Sequence, residues 1–449
     1  MKFREIADTV LSAAKDAKSD ETEVVCVRQE ESLTRFANNH IHQNVTESNY
    51  EITVRCVVGT RVGTAVSNNV RTESLRGLVH RAAELAKLQP ENPEFKGLPG
   101  PVPIATTQAF DRDAATCTPQ ARANGVGVLC RKAQSMGYTA AGSMTTGVST
   151  FGVANSKGVF AEFESTVADA SSVIMNGKAS GWSHASGWKL DAVNMESLAD
   201  EALEKVLLGQ KIAECEPGEV TVILDPFATA DLIGMLAYDG MSGLAFQEER
   251  SWMNGRTGQR IMSPEITIFD DGLDLRGIPL PFDFEGQPKR YVAIVENGVC
   301  KTPVYDSHTA SRRPGLTSTG HAMPPSAGGT TGPFPLNLFL QPGTSKESTV
   351  EEMIRSTKRG LYITRFWYTR HVHPRDVVVT GMTRDGTFLV ENGEIVGATK
   401  SMRFTQSYVD ALAGVAAVGN RLRVLRAGGT TISVPAIKLN RFRFTSATK

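Results

Sequence analysis

The chain has 449 residues, 41% of them hydrophobic and 21% charged, with 48 Lys+Arg balanced by 48 Asp+Glu. That length exceeds what one hydrophobic core usually supports, and it predicts two large domains. Zero formal net charge and the lack of any Lys/Arg run remove the counterion-release drive for nucleic-acid binding. No stretch approaches the ~18 uninterrupted apolar residues of a membrane span.

In chain order, MKFREIADTVLSAAKDAKSD carries charge in its first turns. It reads as an amphipathic helix over Phe3 to Ala17, not as a signal peptide. Four β-branched, alternating segments follow (residues 21–29, 32–45, 50–58 and 61–67), with Gly59 suited to a tight turn between the last two. A helix is predicted over Glu73 to Leu88. Pro90, Pro93, Pro99, Pro101 and Pro103 then favour an extended connection. A second helix, Pro119 to Met136, leads into strands at 139–148, 150–158 and 159–175, with Asn155 to Gly158 as a hairpin turn. The unit of helix and antiparallel strands thus occurs twice, as a weak internal repeat. A helix over Met195 to Gln210 closes this half.

The polar segment Lys211–Glu219 marks the predicted boundary between an N-terminal domain, 1–215, and a C-terminal domain, 216–449. Val220–Leu224 reads as a strand, and Asp225-Pro226 as a helix start, with Asp as N-cap and Pro at the first helical position. Beyond the helix at 227–238, short strands and Gly/Pro turns predominate, interrupted by helices at Thr349 to Arg359 and Gln406 to Ala413. The fold class expected is α+β: an N-terminal α/β domain with antiparallel strands, then a mainly antiparallel β domain, barrel- or sandwich-like. Residues 309–346 form a long irregular segment, the kind that serves as a binding loop or lid.

The residues alone assemble no catalytic constellation. His371 and His373, two apart on a strand, point to one face and could share a metal, with His308 or His321 as a distant third ligand. The bland reading is two polar side chains beside Arg370 and Arg375 on a wet face. His40 and His42 repeat the spacing and read as surface residues. No G-x-S-x-G elbow is present, and neither Thr319-Gly320-His321 nor Ser251-Trp252 matches a nucleophile motif. The run 327–333 is glycine-rich but lacks the Lys-Ser/Thr ending of a phosphate loop. Glu248-Glu249 and Glu351-Glu352 read as solvated charge. The six cysteines contain no C-x-x-C pair and read as reduced structural thiols of a cytoplasmic protein.

Several segments in order resemble the TldD/TldE peptidase family, whose branch without a zinc motif is also called PmbA or modulator of DNA gyrase. They are residues 31–44, Gly59-Thr-Arg-Val-Gly63, Ala154-Asn-Ser-Lys-Gly158, Arg359-Gly-Leu-Tyr-Ile363, Leu389-Val-Glu-Asn-Gly-Glu-Ile395 and Pro435-Ala-Ile-Lys-Leu439. The resemblance implies paired subunits enclosing a chamber. In the catalytic branch a helix bears H-E-x-x-x-H and a later cysteine completes a zinc site. Here the matching segment is Leu236-Ala-Tyr-Asp-Gly-Met-Ser-Gly-Leu244, with Ala237 at the first His, Tyr238 at the Glu and Ser242 at the second His. A methyl has no lone pair, a phenol is a poor base at neutral pH, and an alcohol is a weak zinc ligand. Residues 411–426 hold no cysteine, and none of the 8 histidines has another five positions on.

The expectation is therefore a subunit with no catalytic residue, metal or cofactor of its own. Zinc is expected in a TldD-like partner, and Ala237, Tyr238 and Ser242 line the shared chamber. Extended peptides are the expected substrate, for degradation or leader removal. Neither nucleic acid nor membrane is an expected partner. The alternatives are an independent hydrolase built on His321 or His371/His373, and a regulatory or binding protein without a proteolytic role.

Overall fold

The computed structural model describes residues 1–325, 332–344, 348–427 and 429–447. The first half is built on one antiparallel sheet. Its elements are α1 (Phe3–Asp16), β1 (Glu21–Ala37), β2 (His40–Val58), β3 (Arg61–Ser67), α2 (Thr72–Leu88), α3 (Arg112–Ala115), α4 (Pro119–Ser135), β4 (Thr139–Asn155), β5 (Phe160–Met175), β6 (Ser180–Gly187) and α5 (Met195–Leu208). The strand order is β3-β2-β1-β4-β5-β6. The repeat read in the sequence is thereby explained. Helix, three strands and helix occur twice, joined at the central pair β1–β4.

Alternation along the strands sorts the two faces. Val24, Cys26, Ile52, Val54 and Ala154 pack with α1 and α2, and Met144, Ala168, Ala170 and Ile174 with α4 and α5. All four long helices therefore lie on one face. Val25, Phe151, Val153, Ala161 and Phe163 point the other way, onto Phe282 from the second half of the chain.

Two details of this half differ from the sequence reading. The segment 32–45 is not one strand, because Asn38 (φ 51°) and Asn39 (φ 63°) turn the chain between β1 and β2. Two consecutive left-handed residues make the tight hairpin turn that asparagine tolerates. Strand β6 was not anticipated, since SGWSHASG is poor in β-branched residues. Gly59 (φ 63°) and Gly158 (φ 97°) do take the turn conformations their type allows.

The second half holds β7 (Glu219–Leu224), α6 (Pro226–Gly240), α7 (Gly243–Gln247), β8 (Ile268–Asp270), β9 (Val292–Glu296), β10 (Val299–Cys300), α8 (Ser307–Ser311), β11 (Asn337–Leu340), α9 (Val350–Arg355), β12 (Arg359–His373), β13 (Val378–Glu391), β14 (Glu394–Ala398), β15 (Met402–Ser407), α10 (Tyr408–Ala413), β16 (Val415–Val418), β17 (Arg423–Ala427), β18 (Thr430–Val434) and β19 (Ile437–Ala447). One sheet runs β10-β9-β8-β11-β18-β17. The other runs β12-β7-β19-β15-β13-β14, and β12 also pairs with β13, which closes five strands into a ring. Pairing is antiparallel except for β7–β12 and β11–β18. The architecture is α+β with predominantly antiparallel sheets. Strand β11 falls inside the stretch 309–346 expected to be irregular, whereas the glycine-rich residues 326–331 lie outside the described residues.

Candidate functional site

Helix α6 carries most of the segment that the family resemblance sets against the zinc motif. It starts as its sequence dictates: the Asp225 side chain accepts from Phe227 N–H, and Pro226 stands at the first helical position. Leu232, Ile233, Leu236 and Ala237 join a core shared by the strand ring and the second sheet. The helix stops at Gly240, where a Cβ would come within 2.6 Å of Ser251 Oγ and Trp252. Trp252 Nε1 donates to Leu236 O at 2.8 Å, and Ser251 Oγ to Gly240 O at 2.6 Å. Ser251 thus takes a carbonyl, Gly240 O, that a continuing helix would have used.

This termination separates the three motif positions. Ala237 is in the core at 1% exposure, Tyr238 stands on the surface at 72%, and Ser242 lies beyond the helix end with extended backbone. Ser242 then precedes α7, and Gly243 N–H bonds Val304 O at 2.8 Å. These residues do not fit a zinc ion: one has no donor atom, and the other two lie on different elements. Among the described residues, no group of three His, Cys, Asp or Glu is placed to hold a metal.

What α6 presents instead is two carboxylates toward β12 and α10. Asp231 accepts from Thr369 Oγ1 at 2.9 Å and from Tyr408 OH at 2.9 Å. Burial raises its pKa to about 6, although both hydroxyls and His371 pull the other way. Asp239 Oδ2 lies 2.7 Å from His371 Nδ1. Burial also raises the Asp239 pKa, against the lowering effect of His371. The Tyr238 ring stacks on the His371 imidazole, 5.1 Å between centroids. Thr369 and His371 are two apart on β12, so strand alternation brings both to α6. Sequence reading missed Asp231, Asp239 and Tyr408; two acids in an otherwise apolar helix were the available signal.

The other candidate histidines do not join this cluster. His373 Nδ1 pairs with Asp376 at 3.0 Å, and the strand register shifts between His371 and His373, so the two imidazoles serve different carboxylates. His40 and His42 are exposed on β2. His321 is fully buried, with Nε2 2.8 Å from Asp270 and Nδ1 2.9 Å from Thr319 Oγ1. The Thr319 hydroxyl is already bonded to both the N–H and the C=O of Tyr305, so in this Thr-His-Asp series its proton is given to a carbonyl and not to the imidazole. Burial and Lys289 lower the His321 pKa, while Lys289 and His321 outweigh burial to hold Asp270 at about 2.

A second, unanticipated cluster lies across β5 and β6. His184 Nε2 is 2.8 Å from Asp169 Oδ2, and Ser186 Oγ donates to the same carboxylate oxygen. Burial pushes the Asp169 pKa up, but His184, Ser186 and Arg426 together bring it below the usual range. Serine and aspartate share one imidazole nitrogen, so the ring cannot relay a proton from one to the other as a nucleophilic triad requires.

The six cysteines are unpaired. Burial lifts the Cys26 thiol to about 12 and Cys300 to about 11, which leaves both as inert thiols at neutral pH. Glu352 is not merely solvated, as read from the sequence. It accepts from the Ser348 and Thr349 N–H groups and completes the cap of α9. Among the described residues, no helix is long and apolar enough to cross a membrane.

Family models match three segments: PmbA/TldA metallopeptidase domain 1 at residues 22–86, the central domain at 99–209 and the C-terminal domain at 217–446. A metalloprotease of Methanocaldococcus jannaschii is 28% identical over 240 residues, 50% of this chain and 49% of that protein. A Haemophilus influenzae metalloprotease, a TldD homolog, is 24% identical over 228 residues, 50% of this chain and 45% of its own length. The chain thus spans about half the length of the curated relatives it matches. The crystal structure of TldE from Thermococcus kodakarensis superposes with a TM-score of 0.89 at 21% identity, covering 98% of this chain and 100% of that one, which establishes a shared fold. The chain belongs to the PmbA/TldD metallopeptidase family.

Proposed function

We propose that this chain is the metal-free subunit of a TldD/TldE-type zinc peptidase pair. On this reading it does not hydrolyse a peptide bond alone. It shapes the chamber and helps to hold extended peptides, for degradation or leader removal, while a TldD-like partner supplies zinc. The observation that carries the proposal is the donor chemistry at 237, 238 and 242: a buried methyl, an exposed phenol and an alcohol beyond the helix end. Zinc needs several good donors converging on one point, and a water it acidifies needs a base beside it. The six unpaired thiols accord with a reducing compartment, and we place the protein in the cytoplasm.

The reading as an independent hydrolase has less support, because His321 is sealed in the interior and the Ser186 hydroxyl is given to Asp169. The deciding experiment expresses the chain alone and together with an H-E-x-x-x-H family member, then measures zinc content and cleavage of unfolded peptides. Zinc and cleavage are expected only when the partner is present. Stoichiometric zinc with cleavage by the isolated chain would overturn the proposal.

A further inference from the structure

Two cavities flank one strip of chain where the halves of the molecule meet. One, of about 600 Å³, is lined by Arg55, Glu285, Met323 and Pro324; the other, of about 400 Å³, by Leu280, Phe284, Met323 and Pro324. Residues 284–285 and 323–324 thus stand between them. The first of these segments is a tight turn, in which Gly286 N–H donates to Asp283 O and Asp283 N–H to Gln287 O, both at 2.9 Å. Ala322 N–H donates to Asp283 Oδ2 at 2.8 Å and Phe284 N–H to Ala322 O at 3.3 Å, which ties both segments into one partition. Phe282 and Phe284 seat the turn on Phe151 of the first sheet, with ring centroids 5.0 and 4.6 Å away. At Gly286 (φ 69°) a Cβ would come within 2.5 Å of Val159.

The polar part of this seat turns on one cation. Arg55 of β2 reaches Glu23 of β1 at 2.9 Å and Glu285 of the turn at 3.6 Å. Glu23 is fully buried, and neither of its oxygens has a hydrogen bond. One guanidinium therefore serves an acid on each side of the junction. The other charged groups around the turn meet Glu285 or lie further back. Asp283 and Asp306 feel the Glu285 charge, and Lys289 faces Asp270 and Asp283. Lys96 Nζ donates to Pro93 O. His308 is held below its usual pKa by burial and by Arg312, so it is largely neutral above pH 6.5. Asp283 is itself raised by burial and by Glu285, but its oxygens accept from the N–H groups of Glu285, Gln287 and Ala322. Its charge acts within the partition and not across the junction.

While Glu23 is protonated, the Arg55 charge is left to Glu285 and the turn is held. Once Glu23 ionises, it competes for that charge at the shorter distance, and Glu285 faces a second carboxylate. We propose that the partition is a pH-governed gate, in which the charge state of Glu23, acting through Arg55, sets how often the 282–287 turn lifts from the first sheet and joins the two cavities into one passage. The sign follows from linkage. Burial raises the Glu23 pKa to about 7, with Arg55 opposing and Glu285 adding to the rise. Lifting the turn removes the Glu285 charge and admits water to Glu23, which lowers that pKa, so ionisation favours the lifted state. Opening therefore increases as pH rises toward 7 and levels off above it. The inference does not depend on the paired-subunit reading.

The test is amide hydrogen exchange of the full chain at pH 6.5 and 8.5, followed by mass spectrometry and corrected for the intrinsic pH dependence of exchange. With a Glu23 pKa of about 7, the ionised fraction rises from about one quarter to nearly all over this range. Opening of segments 283–287 and 321–323 should rise with it, about fourfold. Both segments should exchange at least tenfold faster than the slowest amides of the chain, as a local opening requires. Glu23→Gln should bring the ratio between the two pH values close to one. Glu285→Gln, at a side chain 10% exposed, should do the same and decides the matter if Glu23→Gln does not fold. No rise with pH, a rise that survives either substitution, or exchange no faster than that of the slowest amides would overturn the proposal.

Discussion

The His371 Nδ1 atom lies 2.7 Å from Asp239 Oδ2 on α6, and the Tyr238 ring covers the imidazole. Asp239 is buried, and its pKa is raised by that burial despite the histidine. His371→Phe keeps an aromatic ring under Tyr238 but removes the donor. It should destabilise the fold by about 1–3 kcal/mol, the usual cost of orphaning a buried polar group. Tyr238→Ala, at a largely exposed side chain, should cost well under that. Urea unfolding of the two variants at pH 7.5 checks the ranking, and equal losses would contradict it.

Rebuilding the motif by Ala237→His, Tyr238→Glu and Ser242→His should fail to create a zinc site. Ala237 has no room, at 1% exposure within the shared core, so a histidine there overpacks it at about 1–3 kcal/mol. The helix end at Gly240 leaves position 242 on a separate element. Metal analysis should find no stoichiometric zinc in the triple variant, and its unfolding midpoint should drop.

How much of this was legible depends on the range of the interaction. Local chemistry was readable: the Asp225-Pro226 helix start, the turns at Gly59 and Gly158, and the apolar faces of α1 and α2 all follow from neighbours a few residues apart. The pairing of α6 with β12 was not, because Thr369 and His371 lie 138 and 132 residues from the acids they serve. Ring closure through β12–β13 and the break between α6 and α7 are likewise set by tertiary partners. Trp252 and Ser251 end α6 from outside it. That a methyl, a phenol and an alcohol stand at 237, 238 and 242 needs no geometry to recognise, only the side-chain chemistry.

Arg365 ties the strand ring to the first sheet. Its guanidinium is 2.6 Å from Asp385 Oδ2 and sits 4.6 Å from the Trp182 ring centroid and 5.2 Å from that of Trp367. Ser180 Oγ on β6 donates to the other Asp385 oxygen at 2.6 Å. Arg365→Ala leaves a buried carboxylate without its close cation and should cost about 3 kcal/mol. The Arg384 Nε, 3.8 Å from Asp385, keeps the loss from growing further. Arg365→Lys keeps the charge and loses the planar stacking, so a smaller loss is expected. Denaturation followed by tryptophan fluorescence separates the two, and an alanine variant no worse than lysine would refute the account.

Glu23 makes the pH dependence testable. It is fully buried, and its pKa is raised to about 7 by burial, with Arg55 opposing and Glu285 adding to the rise. The Arg55 guanidinium is an ion-pair partner at 2.9 Å but lacks the angle of a hydrogen bond. A carboxyl whose folded pKa lies above its unfolded value holds its proton more tightly in the folded state. Its contribution is therefore complete below about pH 4.5 and is lost progressively as pH rises toward 7, levelling off above. Glu23→Gln removes this titration. The variant's stability relative to the native chain should rise between pH 5 and 8 by on the order of 3 kcal/mol, at about 1.36 kcal/mol per pKa unit. The attraction to Arg55 acts only on the ionised carboxylate and is already contained in the folded pKa of about 7, so the slope carries the result. Paired urea titrations at pH 5, 6, 7 and 8 measure it, and a flat or falling difference would show that Glu23 is ionised throughout.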